Sequence, residues 1–291
     1  SGDRKAIATA ITLVESTKHE DQDSTNRLLT LLESQQTQSI RIGISGPPGV
    51  GKSTFIEAIG HSVLESDERL AILAIDPSSS ISGGSILGDK TRMESLSRNE
   101  NTFIRPSPSG GNLGGVHRST RESVSILEAA GYSVILIETV GVGQAETEVF
   151  EMTDIFLVLL SPGGGDELQG IKRGIIELAD ILVVNKADGN LEATSKSTVL
   201  DYKNALKLLK PRIQGWAVPV LACSALEKNG IDQIWDKVNN LKDHLVKTGQ
   251  LEKKRLEQRK IWLKNKKKNL ILSAIEDDEE LLEKLGKRIN E

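Results

Sequence analysis

The sequence predicts an α/β protein with a mostly parallel sheet, N-terminal helices before it and a helical extension after it. Two observations carry that prediction. From Ile40 to Cys223, short apolar runs alternate with helix-like segments, the pattern of strands buried on both faces and joined by crossover helices. Between the first of these runs and its helix stands Gly46-Pro47-Pro48-Gly49-Val50-Gly51-Lys52-Ser53, which fills every fixed position of a phosphate-binding loop in the strand-to-helix setting that such a loop requires. The fold class is therefore that of a P-loop NTPase.

The elements follow in order. Ile7, Ala10, Ile11 and Val14 fall at helical spacing over Lys5 to Glu15, as do Leu28, Leu29, Leu31 and Leu32 over Asn26 to Gln36, so two helices precede the core. Strands are expected at Ile40–Ser45, Leu70–Ile75, Ser133–Thr139, Ile155–Ser161, Ile181–Asn185 and Val218–Cys223. Between Asp76 and Val116 the chain is rich in Ser, Gly, Pro and Asn. There, only a short helix near Lys90–Leu96 and a short strand at Thr102–Arg105 are expected, and long irregular connections of this kind are usually functional or mobile. After Asn229 the pattern is helical again. Basic residues dominate Leu251 to Lys268, while Ile261, Trp262, Leu263, Leu270, Ile271, Leu272 and Ile275 suffice to give the tail helices a buried side. The charges there read as a solvated helix face or as a dimer or partner-docking arm. The domain organisation is thus an N-terminal helical extension over 1–38, a P-loop core over 39–248 and a C-terminal helical arm over 249–291.

Composition bounds the rest. A chain of 291 residues with net charge −4 can bury a substantial core but lacks the basic footprint of a nucleic-acid binder. The lone Cys223 leaves no internal disulfide framework and suits a reducing compartment. No apolar run approaches the ~20 residues of a membrane span, and Asp3, Glu15 and Asp21 do not fit a signal peptide. The expectation is a cytoplasmic protein, or one in an organelle interior after processing, with neither nucleic acid nor membrane as partner.

The loop sets the chemistry. Its glycines let successive N–H groups turn inward, and the helix opening at Thr54 adds its own free N–H groups and positive dipole end. Lys52 is placed to reach the β- and γ-phosphates, and the Ser53 hydroxyl to hold Mg²⁺. Asn185-Lys186-Ala187-Asp188 follows an apolar strand and selects the base. A carboxylate at Asp188 can accept from both the ring N1–H and the exocyclic amine of guanine, a donor pair that adenine lacks. Lys186 can lie along the base, and Asn185 can tie this loop to the phosphate loop. Ser224-Ala225-Leu226 matches the companion loop whose backbone N–H meets the guanine oxygen. Such hydrogen bonding can reject the wrong base by roughly 10⁴ or more, so GTP and GDP are the expected ligands.

Asp76 and Glu138 stand at strand ends within reach of the metal beside the loop, and Asp89 lies in the irregular segment that can close on it. Oxygen donors of this kind suit Mg²⁺. Glu138-Thr139-Val140-Gly141-Val142-Gly143-Gln144 has the form of a γ-phosphate sensor. Many small G proteins instead have Asp first and place the water-orienting Gln two residues earlier than Gln144. Catalysis by positioning and charge neutralisation then makes hydrolysis slow until a partner orders the site. A second glycine cluster, Gly163-Gly164-Gly165-Asp166 with Lys172 beyond it, reads either as a hinge-bearing loop that rearranges with nucleotide state or as a plain loop before a helix.

Taken together, Gly46–Thr54, Asp76–Ser79, Gly88–Met93, Glu138–Gln144, Gly165–Lys172 and Asn185–Asp188 resemble the MeaB/ArgK-type G proteins, over a stretch from near the N-terminus to about Leu245. The resemblance implies a SIMIBI-class G domain and a homodimer formed largely through the C-terminal region. It also implies a metallochaperone that gates adenosylcobalamin delivery to a B12-dependent acyl-CoA mutase, methylmalonyl-CoA mutase first among them, and protects that enzyme. By this likeness Asp76, Asp89 and Glu138 serve the metal shell and hydrolysis, Glu138 and the spacing of Gln144 are normal, and Asp166 and Lys172 belong to a switch loop that meets the partner. Three alternatives stand beside it: an ATP-using kinase linked to basic amino acid transport, a nickel-delivery G protein of the same fold class, and a G protein of a related mutase. Asp188 argues against the first. Against the second, His19, His61, His117 and His244 are scattered without ligand spacing.

Overall fold

The apolar runs fold as seven parallel strands in one sheet. In chain order the structure, a computed structural model, has α1 (Arg4–Glu15), α2 (His19–Leu32), β1 (Ile40–Ser45), α3 (Lys52–Glu65), β2 (Leu70–Asp76), α4 (Glu94–Arg98), β3 (Thr102–Pro108), α5 (Gly115–Ala129) and β4 (Val134–Glu138). It continues through α6 (Ala145–Met152), β5 (Ile155–Leu160), α7 (Arg173–Leu178), β6 (Ile181–Val184), a 3₁₀ turn at Gly189–Leu191, α8 (Glu192–Leu206), β7 (Val220–Ala222), α9 (Ile231–Lys247) and α10 (Gln250–Glu276). The residues described are 3–16, 18–32, 39–76, 93–108, 115–139, 145–163 and 173–276. Strand order is β3-β2-β4-β1-β5-β6-β7, and every pairing is parallel.

Burial explains the strands. Every residue of β4, β5 and β6 is buried, as expected of a sheet with helices on both faces. The N-terminal helix joins this core: Ile7, Ile11 and Val14 of α1 pack in the cluster that holds Leu73, Phe103, Leu127 and Ile135. At about 1.5–3 kcal/mol for each fully buried aliphatic side chain, that stripe docks α1 firmly. Arg105 of β3 pairs with Glu15, and Arg4 donates to the Thr102 carbonyl. At the start of β1, Arg41 makes a two-pronged pair with Glu128 at 2.8 and 2.9 Å. Its backbone N–H donates to Asp154 at 2.9 Å.

Several expectations change. The strand at Thr102 runs on to Pro108 and is a full member of the sheet at its edge, paired with β2 alone. The second helix begins at His19 rather than near Asn26, and its first turn carries Glu20 and Asp21, acids that suit the positive end of a helix. Of the short helix expected near Lys90–Leu96, the described part is Glu94–Arg98, and residues 90–92 lie outside the described residues.

The chain forms two compact units, Ser1–His244 and Leu245–Glu291. The second unit contains α10, 27 residues long, entered through Gly249 in the left-handed conformation at φ 66°. Of the apolar residues expected to give the tail a buried side, Ile261, Leu263 and Ile271 are exposed, as is Leu256, while the side chains of Leu270, Leu272 and Ile275 lie outside the described residues. Trp262 is half-buried and lies under the Lys266 ammonium, 5.0 Å from its ring centre.

Candidate nucleotide site

β1 is flanked by β4 and β5 and delivers the phosphate loop at its carboxyl end, where α/β sheets bind ligands. The loop turns through Gly46, Gly49 and Gly51 at φ 150°, 77° and 92°. Gly51 is required twice over: its φ disfavours any side chain, and a Cβ there would stand 2.7 Å from the Asn185 amide nitrogen. Gly51 also caps α3 without a side-chain hydrogen bond. The first N–H groups of α3 therefore face a ligand, in the arrangement that binds phosphate.

Lys52 is 8% exposed, and its ammonium donates to the carbonyls of Gly46 at 2.9 Å and Pro47 at 3.2 Å. Burial lowers its pKa, opposed by the carboxylates of Glu138 and Glu146. Glu138 ends β4 and is level in register with Ile44 of β1 and Ala74 of β2. Asp76 closes the neighbouring β2, placing its backbone on the same edge of the sheet, while Ser53 is half-buried in the first turn of α3. Hydroxyl and carboxylate oxygens fit Mg²⁺, which takes one or two protein carboxylates and completes its shell with water and phosphate. Asp89, Gln144, Asp166 and Lys172 lie outside the described residues.

A buried polar group beneath the loop escaped the sequence reading. The Ser45 hydroxyl donates to Glu146 at 3.4 Å and accepts from Thr139 at 3.1 Å, and all three are 3% exposed or less. Thr139 is the second residue of the expected γ-phosphate sensor, and Glu146 stands two residues beyond its end. Both stems of that segment are thus fastened to the residue that feeds the phosphate loop.

At the base-reading end Asn185, 2% exposed, links three loops. Its amide donates to the Val50 carbonyl at 2.9 Å and accepts from the Ala225 N–H at 3.0 Å. Lys186, at φ 62°, donates to the Gly49 carbonyl at 2.7 Å. The Ser224 hydroxyl donates to Asp188 at 2.5 Å and accepts from the Glu227 N–H at 3.1 Å, which fixes the carboxylate that would read guanine. Leu226 is 78% exposed beside it. Cys223 lies beneath, its thiol 3.5 Å from the Asn185 carbonyl oxygen and pushed up to about 12 by burial and by Asp188.

The family model described as Methylmalonyl Co-A mutase-associated GTPase MeaB matches residues 7–280. The chain belongs to the MeaB family. It is 48% identical over 274 residues to a Mus musculus protein named methylmalonic aciduria type A homolog, mitochondrial, across 91% of this chain and 66% of that one. To the Escherichia coli protein named GTPase ArgK it is 45% identical over 274 residues, across 94% of this chain and 83% of that one. A solved structure titled LAO/AO transport system kinase superposes with a TM-score of 0.80 at 38% identity, covering 96% of this chain and 84% of the other. A nickel complex of HypB from Helicobacter pylori shares the fold, with a TM-score of 0.54 at 15% identity over 75% of this chain and 93% of its own. As a member of the MeaB family the chain is a GTPase, a guanine-nucleotide-binding hydrolase with a P-loop fold. Among the described residues no helix is long and apolar enough to cross a membrane.

Proposed function

We propose that this MeaB-family GTPase is a nucleotide-timed chaperone that gates cobalamin delivery to a B12-dependent acyl-CoA mutase, methylmalonyl-CoA mutase in the first instance, and protects that enzyme. The observation that carries this reading is the association named in the family's description, joined to a site whose base loop is tied to its phosphate loop through Asn185. Lys52 neutralises the β- and γ-phosphates, moving from the Gly46 and Pro47 carbonyls to phosphate oxygens. Ser53, Asp76, Asp89 and Glu138 would hold Mg²⁺ directly or through its waters, and the ion when bound would supply charge neutralisation at the transferred phosphoryl group. Glu138, Asp89 and Gln144 position the attacking water.

Gly46 to Thr54 cradle the phosphates, and Asn185, Lys186 and Asp188 with Ser224, Ala225 and Leu226 hold the guanine. Asp166 and Lys172 form the switch that meets the mutase. Turnover is slow until the mutase orders these segments. The arm over 249–291 pairs two copies: a long helix with Leu256, Ile261, Leu263 and Ile271 in solvent is suited to covering by another chain. The protein works in the cytoplasm.

The experiment is GTP turnover by the purified protein with and without a B12-dependent mutase. Faster turnover with the mutase, or formation of a complex, is expected. Neither event with any such mutase would remove the chaperone role and leave the GTPase standing. Competition between GTP and ATP separates this reading from that of an ATP-using kinase.

A further inference from the structure

Between the phosphate loop and the guanine-side companion loop lies a cleft that neither motif explains. Thr54 of the first and Ala225 and Leu226 of the second line it. Its wall is formed by Glu57 and His61 of α3 and Ser95 of α4, around about 190 Å³ of space.

The wall side chains make a chain with one proton order. Ser95 Oγ donates to Glu57 Oε1 at 2.5 Å, and the Ser95 backbone N–H reaches the same oxygen at 3.2 Å. A hydroxyl has one proton to give. His61 Nε2, 2.7 Å from Ser95 Oγ, must therefore carry hydrogen and donate to Ser95. The relay from His61 through Ser95 clamps one oxygen of Glu57. The other, Oε2, takes no hydrogen bond from any described residue, and the side chain is half-buried at the cleft.

We propose that Glu57 is the ribose-reading residue of the nucleotide site, accepting hydrogen bonds from the 2′- and 3′-hydroxyls of bound GTP. This inference rests on the guanine-nucleotide site described above. With phosphates on the loop that ends at Thr54 and the base between Asp188 and Ala225, the sugar is the part of the nucleotide that must span from Thr54 to Ala225. A ribose presents two adjacent O–H donors, and an ionised carboxylate is an acceptor only, with room for both. Hydrogen bonds to a charged partner are the stronger kind. Ser95 and His61 are positioning residues that act through Glu57.

The test is equilibrium binding of GTP, 2′-deoxyGTP, 3′-deoxyGTP and ATP to the full chain, as wild type, Glu57→Gln and Ser95→Ala. Glutamine keeps an acceptor for Ser95 but replaces the second oxygen with a donor. Wild type should prefer GTP over each deoxy analogue by about 10-fold, the value of one charge-assisted hydrogen bond. Glu57→Gln should bind GTP only as well as 2′-deoxyGTP, with affinity for the deoxy analogues unchanged and the melting temperature preserved. Ser95→Ala should fall between the two. Equal wild-type affinity for ribo and deoxy forms would overturn the proposal, and so would equal weakening of all guanine nucleotides by Glu57→Gln. A missing preference for GTP over ATP would instead strike the guanine loop, since the ribo-to-deoxy ratio judges Glu57 with either base. Absence of all nucleotide binding would overturn both.

Discussion

At the guanine end of the site, Asn185 hydrogen-bonds to Val50 and Ala225, Lys186 reaches Gly49, and Ser224 holds Asp188. At the phosphate end, Lys52 is buried against two loop carbonyls, with Glu138 and Glu146 supplying the opposing charge. The first region is built from short, neutral or singly charged hydrogen bonds that exist before a ligand arrives. The second stores unlike charges in a poorly solvated place and must exchange partners when phosphate enters. Under the proposed function, recognition is pre-organised, whereas hydrolysis depends on a rearrangement. A protein that holds GTP and waits would be assembled in this way.

The contrast can be broken most severely at Lys52. Lys52→Ala should lower GTP turnover by about 10²- to 10³-fold or more, as loss of a main electrostatic stabiliser does, with melting little changed; turnover within a few-fold of wild type would show that the phosphate end works without it. Next comes the base. Asp188→Asn should weaken GTP binding by about 10²-fold or more and shift preference toward xanthosine nucleotides, and unchanged GTP affinity in a competition assay would remove Asp188 from recognition.

Glu146→Gln should act more mildly and only at the phosphate end, lowering kcat by about 10-fold with GTP affinity nearly kept. Glu146 raises the Lys52 pKa, so removing its charge lowers that pKa. The alkaline limb of the kcat/KM profile should therefore move to lower pH; an unmoved limb would show that the two groups are uncoupled. The last test leaves GTP turnover unchanged and reads only the floor of the guanine end, where the Cys223 thiol, pushed up to about 12, stays protonated. Maleimide at neutral pH should label the native protein about 10³-fold more slowly than the unfolded chain, and rapid native labelling would mean that the floor of the guanine end opens readily.

What the sequence disclosed follows the same division. The phosphate loop and Asn185–Asp188 are legible because a ligand of fixed geometry demands fixed residues at fixed spacing, and both loops stand at the strand ends expected of them. The meeting of Ser45 and Glu146 with Thr139 is not legible, because the three come from separate places in the chain and meet only through the register of β1 with β4 and the start of α6. A single buried acid has no spacing to read. Strand β3 runs beyond the expected Arg105 through Pro106 and Pro108; proline cannot donate to a ladder, but at the sheet edge, with one neighbour among the described residues, it is tolerated. The first turns of α2 are hidden by their polarity, and of the apolar residues of α10, Leu256, Ile261, Leu263 and Ile271 are exposed.

The pair between Arg41 and Glu128 lies at the opposite end of β1 from the phosphates, yet it bears on them. Slipping a parallel strand by one residue shifts it by about 3.3 Å and turns every side chain to the other face. Gly46 and Lys52 hang from the carboxyl end of β1 and tolerate no such shift. Arg41, clamped by Glu128 through its guanidinium and by Asp154 through its N–H, serves as the index mark of the strand. It sets the height at which the loop leaves the sheet, so the accuracy of the nucleotide cradle is decided in part a full strand length away from any nucleotide.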